Sequence, residues 1–107
     1  MLVGTGDRTK AEAEFRETIR IQPNIAEAHA NLANLLSWKP DVPGAAFQYQ
    51  EALRIKPAFG QAHYGYAALL AQTGCLAEAT TEAEAALKGE PNSAEVKALL
   101  EALKKRR

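Results

Sequence analysis

Few residues of this chain belong to the types that do covalent chemistry, and their surroundings limit what each can do. His29 and His63 are the two imidazoles. A metal site needs three or four converging ligands, and nothing else converges on this pair. They recur at the same place in two similar stretches, on the packing side of a helix, which predicts a core role. Cys75 is the one cysteine. It cannot form an internal disulfide, and without a second cysteine or a paired base it lacks what activates a thiolate. Gly4-Thr5-Gly6 is too short for a phosphate loop and follows no strand. Glu78, Glu82 and Glu84 read as a solvated helix surface. Lys104-Lys105-Arg106-Arg107 could touch nucleic acid or lipid, but a basic helix C-terminus is also favoured by the helix dipole, and four charges are weak evidence. No nucleophile, base or metal constellation emerges. No enzyme activity, cofactor or metal is expected.

The elements that position these residues follow from composition and period. The 107 residues carry 13 basic and 13 acidic side chains, for a net charge of zero. No electrostatic footprint points to nucleic acid or an anionic membrane. No window approaches the ~20 apolar residues of a membrane span. The opening Met1–Asp7 lacks the basic-then-apolar order of a signal peptide. A cytoplasmic location is expected. Apolar residues make up 47% of the chain, with much alanine. Few residues are β-branched, which favours helix over strand. The length suits one domain with a stable core.

Pro23, Pro57 and Pro91 are evenly spaced, 34 residues apart, each closing a similar phrase such as Arg20-Ile21-Gln22-Pro23 and Arg54-Ile55-Lys56-Pro57. The same shift maps Ala11 and Phe15 onto Ala45 and Tyr49. It also maps Ala28, His29, Ala33, Leu35 and Leu36 onto Ala62, His63, Ala67, Leu69 and Leu70. A fixed period of this length marks an array of helix pairs, none of which buries its apolar face alone. The pattern predicts helices over about 8–22, 26–38, 43–56, 59–73, 76–88 and 93–105. Asn24 is the expected N-cap of the second, with Glu27 completing a capping box. Pro43 suits a first helical turn, Pro57 ends a helix, and Gly74 is the αL stop. Asn92 or Ser93 caps the last helix.

These residues resemble the tetratricopeptide repeat, whose pattern is W-x2-L-G-x2-Y, then A-x3-F, then P. One unit offers His29-x2-Leu32-Ala33-x2-Leu36, Ala45-x3-Tyr49 and Pro57. The next offers His63-x2-Tyr66-Ala67-x2-Leu70, Ala79-x3-Ala83 and Pro91. A partial first unit offers Ala11-x3-Phe15 and Pro23. The resemblance implies an all-α fold of antiparallel helix pairs stacked as a short right-handed α-solenoid. It divides a single domain 1–107 into a partial repeat 1–25, repeats 26–59 and 60–93, and a capping helix 94–107. Gly6-Asp7 and Gly74 fall where the family places turns. Pro40 stands where glycine is usual and stiffens its turn. Ala83 replaces a large ring and loosens the last pair.

The resemblance also implies a function: the second face of each unit's first helix lines a concave groove that holds an extended peptide or a partner helix. That assigns Glu27, Asn31, Asn34 and Trp38 in one unit, and Gln61, Tyr64 and Gln72 in the next, to ligand binding. Ala30, Ser37, Gly65, Ala68 and Ala71 lie on the same faces. Asparagine can donate to and accept from a peptide backbone, and Tyr64 and Trp38 are rigid anchors of the hot-spot type. The amides could equally be solvated surface, and Trp38 could cap the helix–turn junction. Some relatives grip a ligand's terminal carboxylate with Lys, Asn and Arg on this face. Ala30 and Gly65 stand where that clamp needs polar or basic groups, so an acidic C-terminal tail is not the expected ligand.

The leading expectation is an adaptor that binds a protein or peptide. The alternative is a self-association module, or an accessory arm of a larger protein. The helix 8–22 lacks a partner helix, which leaves Phe15 and Ile19 partly uncovered and could support a homo-oligomer through that end. The last helix has a polar side and is expected to close the array.

Overall fold

In a computed structural model, residues 5–39 and 41–106 are described, with side chains from Arg8 onward. The readings that rest on Met1–Gly4, Pro40 and Arg107 lie outside the described residues. Among the described residues there are six α-helices and no strand: α1 (Thr5–Ile21), α2 (Ala26–Trp38), α3 (Val42–Ile55), α4 (Gly60–Gln72), α5 (Leu76–Gly89) and α6 (Ala94–Lys105). Gly6 and Asp7 lie in the first turn of α1 rather than in a turn before it.

Two compact units are present, residues 1–55 and 56–107. In the first, α1 packs on α2 and α2 on α3. Leu32, Ala33 and Leu36 of α2 are buried, as are Ala45, Tyr49 and Ala52 of α3. Alanines at these positions let the paired helices approach closely, and the Tyr49 ring fills the remaining space. Phe15 and Ile19 of α1 are only half-buried, whereas Tyr49, the period-equivalent of Phe15, is 2% exposed. In the second unit α4 packs on α5, α5 on α6, and α6 also touches α4. Its core joins Ala67, Leu70, Ala79, Ala83, Ala86, Val96 and Leu103, with Tyr64, Tyr66, Leu99 and Leu100 packed around them. Ala83 is fully buried, so the pair closes around the smaller side chain.

The helix ends correct part of the sequence reading. The N-cap of α2 is Ile25, not Asn24, and no side chain caps it. Phe59 stands at the same place before α4, also uncapped by a side chain. At these two junctions the backbone carbonyls of Ile25 and Phe59 accept from the first turn. Of the two cap residues, Phe59 is buried and Ile25 half-buried. Helix α6 does use its side-chain cap, with Ser93 Oγ accepting from the Val96 N–H at 3.3 Å. Helix α3 has a cap the sequence reading passed over: Asp41 Oδ1 accepts from the Gly44 N–H at 3.1 Å. Gly74 has φ 84°, the αL stop expected of it. The Cys75 N–H reaches back to the Leu70 carbonyl and the Gly74 N–H to that of Ala71, which closes α4 as a Schellman motif.

Two histidine clasps tie each first helix to its surroundings. His29 places Nε2 2.8 Å from the Pro23 carbonyl oxygen and Nδ1 2.7 Å from Gln48 Oε1. His63 repeats the arrangement, with Nε2 2.8 Å from the Pro57 carbonyl oxygen and Nδ1 2.7 Å from Glu82 Oε1. In each, the Nε2–H donates to the carbonyl. Gln48 can rotate its amide to donate to the remaining nitrogen. In the second clasp Glu82 Oε1 takes the place that Gln48 Oε1 holds in the first. Glu82 is therefore a half-buried packing partner and not the solvated surface group expected of it, whereas Glu78 and Glu84 are exposed.

Candidate functional site

Positions 27, 31, 34 and 38 recur at i, i+4, i+7 and i+11, which sets them on one stripe of a helix. The structure brings Glu27, Asn31, Asn34 and Trp38 together there, all exposed along α2. Ala30, assigned to the same face, is buried and offers a ligand nothing. On α4 the equivalent stripe carries Gln61, Gly65, Ala68 and Gln72, with Tyr64 beside it. Gln61 and Gln72 are exposed, and Tyr64, Gly65 and Ala68 are half-buried. Ala71 is buried and drops out.

Two of these side chains have structural duties the sequence did not reveal. Asn34 Oδ1 accepts a hydrogen bond from the buried hydroxyl of Tyr49 on α3. A buried phenol needs a polar partner, and Asn34 supplies it while remaining an exposed residue. Burial pushes the Tyr49 hydroxyl up to about 12, with the Ser37 hydroxyl opposing the shift. Ser37 itself donates to the Asn34 backbone carbonyl at 2.7 Å.

Trp38 is 68% exposed, yet one face is covered. The Arg8 guanidinium lies 5.0 Å from its ring centroid, a cation–π contact worth roughly 0.5–1 kcal/mol at such a site. One helical turn along α1, Glu12 Oε1 is 2.9 Å from Lys39 Nζ, and its other oxygen is 2.9 Å from Arg16 Nε. The hydrogen bond from Lys39 holds the Glu12 carboxyl below the usual carboxylate range, Arg16 adds to this, and partial burial opposes it. Arg8 and Glu12 thus grip adjacent residues at the end of α2. Trp38 serves the junction between α1 and α2 while keeping an open face. Arg8 is the residue sequence reasoning missed, because a contact across 30 positions leaves no periodic trace.

Glycine in a helix interior is destabilising by roughly 1 kcal/mol relative to alanine. Gly65 sits in the middle of α4, where the period-equivalent residue of α2 is Asn31. Among the described residues no group of three His, Cys, Asp or Glu is placed to hold a metal ion. No helix among them is long and apolar enough to cross a membrane. A shallow hollow of about 450 Å³, lined by Leu76, Ala77, Thr80, Thr81 and Glu84, is formed by α5 and contains none of the assigned residues.

A family model of the tetratricopeptide repeat matches residues 40–103, more than half of the chain. The chain belongs to the tetratricopeptide repeat family. Solved structures share its fold. The first such domain of Spaghetti (RPAP3), bound to the HSP90 peptide SRMEEVD, matches with a TM-score of 0.90 over 94% of this chain and 80% of its own, at 19% identity. The second domain of human RPAP3, in complex with the HSP70 peptide SGPTIEEVD, matches at 0.85 over 92% and 82%, at 20% identity. The Yersinia enterocolitica type III secretion chaperone SycD, in complex with a peptide of the translocator YopD, matches at 0.85 over 95% and 83%, also at 20% identity. At such identities the likeness speaks for the fold. A comparison with curated protein sequences finds no match.

Proposed function

We propose that this chain is a protein-interaction module that holds a peptide or partner helix on the outward side of a repeat's first helix, α2 in one unit and α4 in the other, acting by binding and not by catalysis. The observation that carries the reading is the pair of outward stripes. Asn31 and Asn34 on α2, and Gln61 and Gln72 on α4, present carboxamides on the equivalent stripe of each helix, though not at equivalent positions, and the opposite side of each helix is buried. Carboxamides both donate and accept, as a peptide backbone requires. Peptide complexes of three structurally similar domains support the same reading. The balanced charge favours a protein partner over nucleic acid.

The test must spare the residues that hold the fold. Asn34 partners Tyr49 and Tyr64 packs on a core, so substituting either would confound binding with stability. Asn31→Ala, Gln61→Ala and Gln72→Ala change exposed side chains instead. Affinity capture from native lysate with the wild type and this triple variant, matched for helicity, should show a partner retained by the first and lost by the second. Equal capture by both would refute the assignment of these faces.

A further inference from the structure

Helix α1 is open on the side where α3 and α5 are covered. In α3, Ala45, Tyr49 and Ala52 are buried and Gln48 is half-buried, and α3 is paired with α2. In α5, Ala79, Ala83 and Ala86 are buried and Glu82 is half-buried, and α5 is paired with α4. The period-equivalents on α1 are Ala11, Glu14, Phe15 and Thr18. Ala11 and Phe15 are half-buried, and Glu14 and Thr18 are exposed. At the next position along, the three helices agree: Ile19, Leu53 and Leu87 are all half-buried.

The chemistry of this side describes what would cover it. Glu14 stands at the place where Gln48 Oε1 meets His29 Nδ1 and Glu82 Oε1 meets His63 Nδ1, each at 2.7 Å. Phe15 presents a ring at the place of Tyr49, whose ring is covered in the α2–α3 pair. Thr18 Oγ1 already donates to the Glu14 backbone carbonyl at 3.0 Å, so covering it strands no donor. Thr80 of α5, bonded in the same way to the Leu76 carbonyl, is 9% exposed. Ile21, exposed at the end of α1, extends the patch. At its equivalent, Gly89, an added side chain would meet the Ala58 carbonyl oxygen 3.7 Å away, in the segment that leads into α4.

We infer that this side of α1 docks a helix of a partner protein built like α2: a histidine opposite Glu14, then leucine, alanine and leucine three, four and seven positions on, as in His29, Leu32, Ala33 and Leu36. A second copy of this chain offers no such helix. Its α2 and α4 are already paired with α3 and α5, and α6 carries Lys97, Glu101 and Lys104 where the histidine, the alanine and the second leucine belong. A carboxylate in the alanine's place would be buried without a partner, which is strongly unfavourable. Two α1 helices paired about a two-fold axis would bring their Glu14 carboxylates together, a like-charge contact. The docking side needs no residue of the carboxamide stripes proposed above.

The probe is a fluorescently labelled peptide of residues 23–39, the α2 segment, added to the full chain. Polarisation should rise saturably. Glu14→Ala should weaken binding about fivefold, the scale of one hydrogen bond. Glu14→Gln should bind as the wild type does, because Gln48 serves His29 within the fold. His29→Ala in the peptide alone should cost as much as Glu14→Ala, and the two together no more than either. Phe15→Ser should abolish binding at unchanged helicity, and Glu17→Ala, which changes an exposed residue paired with Arg20, should leave it intact. No saturable binding, or binding indifferent to both Glu14→Ala and Phe15→Ser, would overturn the inference. Loss with Phe15→Ser but not with Glu14→Ala would overturn the histidine-bearing partner. A dimer of the chain alone by light scattering, broken by Phe15→Ser, would give this side to a second copy and overturn the inference as well.

Discussion

The side chains that matter most here are polar groups placed where the sequence pattern alone suggests packing. Tyr49 fills the position of a large ring in the repeat pattern, and the period made its burial legible. Its hydroxyl was not legible, because period says nothing about which acceptor a buried phenol finds 15 positions away. The histidines divide in the same way. Their recurrence after 34 residues foretold a packing role, but the partners Gln48 and Glu82 are visible only once the helices pair. The titration of Tyr49 gives a prediction at this scale. Its folded value, about 12, lies above the ordinary phenol value of 10.0. Below pH 10 neither state loses the proton, so the stability is fully present. Between about pH 10 and 12 the unfolded chain releases it first, and stability falls as pH rises. Urea midpoints measured on either side of this window should drop more for the wild type than for Tyr49→Phe. That variant should also be weaker at neutral pH by about 1 kcal/mol, for the lost bond to Asn34. Identical alkaline slopes would show that Tyr49 does not set this sensitivity.

Among the elements, the existence and span of all six helices could be read from apolar periodicity and proline placement. The cap residue before α2 could not, for a physical reason. The strongest cap signal before α2 is Asn24, but the cap falls one residue later, on half-buried Ile25, and the backbone alone closes the first turn. Phe59 does the same before α4. Apolar contact outweighs a side-chain cap at these two junctions. Polar caps survive at Asp41 and Ser93. Replacing such a cap by alanine costs about 1 kcal/mol. Asp41→Ala and Ser93→Ala should each lower stability by that amount. Amide exchange should quicken first in the opening turn of α3 in one variant and of α6 in the other. A uniform rise in exchange across the chain would argue that these groups act through something other than capping.

At the level of the whole molecule, the repeat pattern predicts what α6 would look like if it were an ordinary first helix, and α6 departs from it at three positions. His29, Ala33 and Leu36 of α2 are buried, as are Ala67 and Leu70 of α4, with His63 half-buried. The period-equivalents on α6 are Lys97, Glu101 and Lys104, all exposed, with Lys104 Nζ 4.0 Å from a Glu101 carboxylate oxygen. The other side of α6 buries Val96 and Leu103 in the core of its unit. One helix thus packs inward like its relatives and turns charge toward the side where they receive a second helix. Repeat arrays need such polar outer faces to stay soluble. Restoring the repeat residues as Lys97→His, Glu101→Ala and Lys104→Leu should leave the helix folded, because alanine and leucine are strong helix formers. The leucine introduced by the last of these changes should also join the neighbouring Leu100 in an exposed apolar strip that seeks cover. Light scattering after size exclusion should then show mass rising with concentration in the triple variant beyond any change in the wild type. Glu101→Ala alone, which leaves both lysines, should behave as the wild type does. If the triple variant matches the wild type at every concentration, the three charges are ordinary surface residues and the reading of α6 as a closing helix fails.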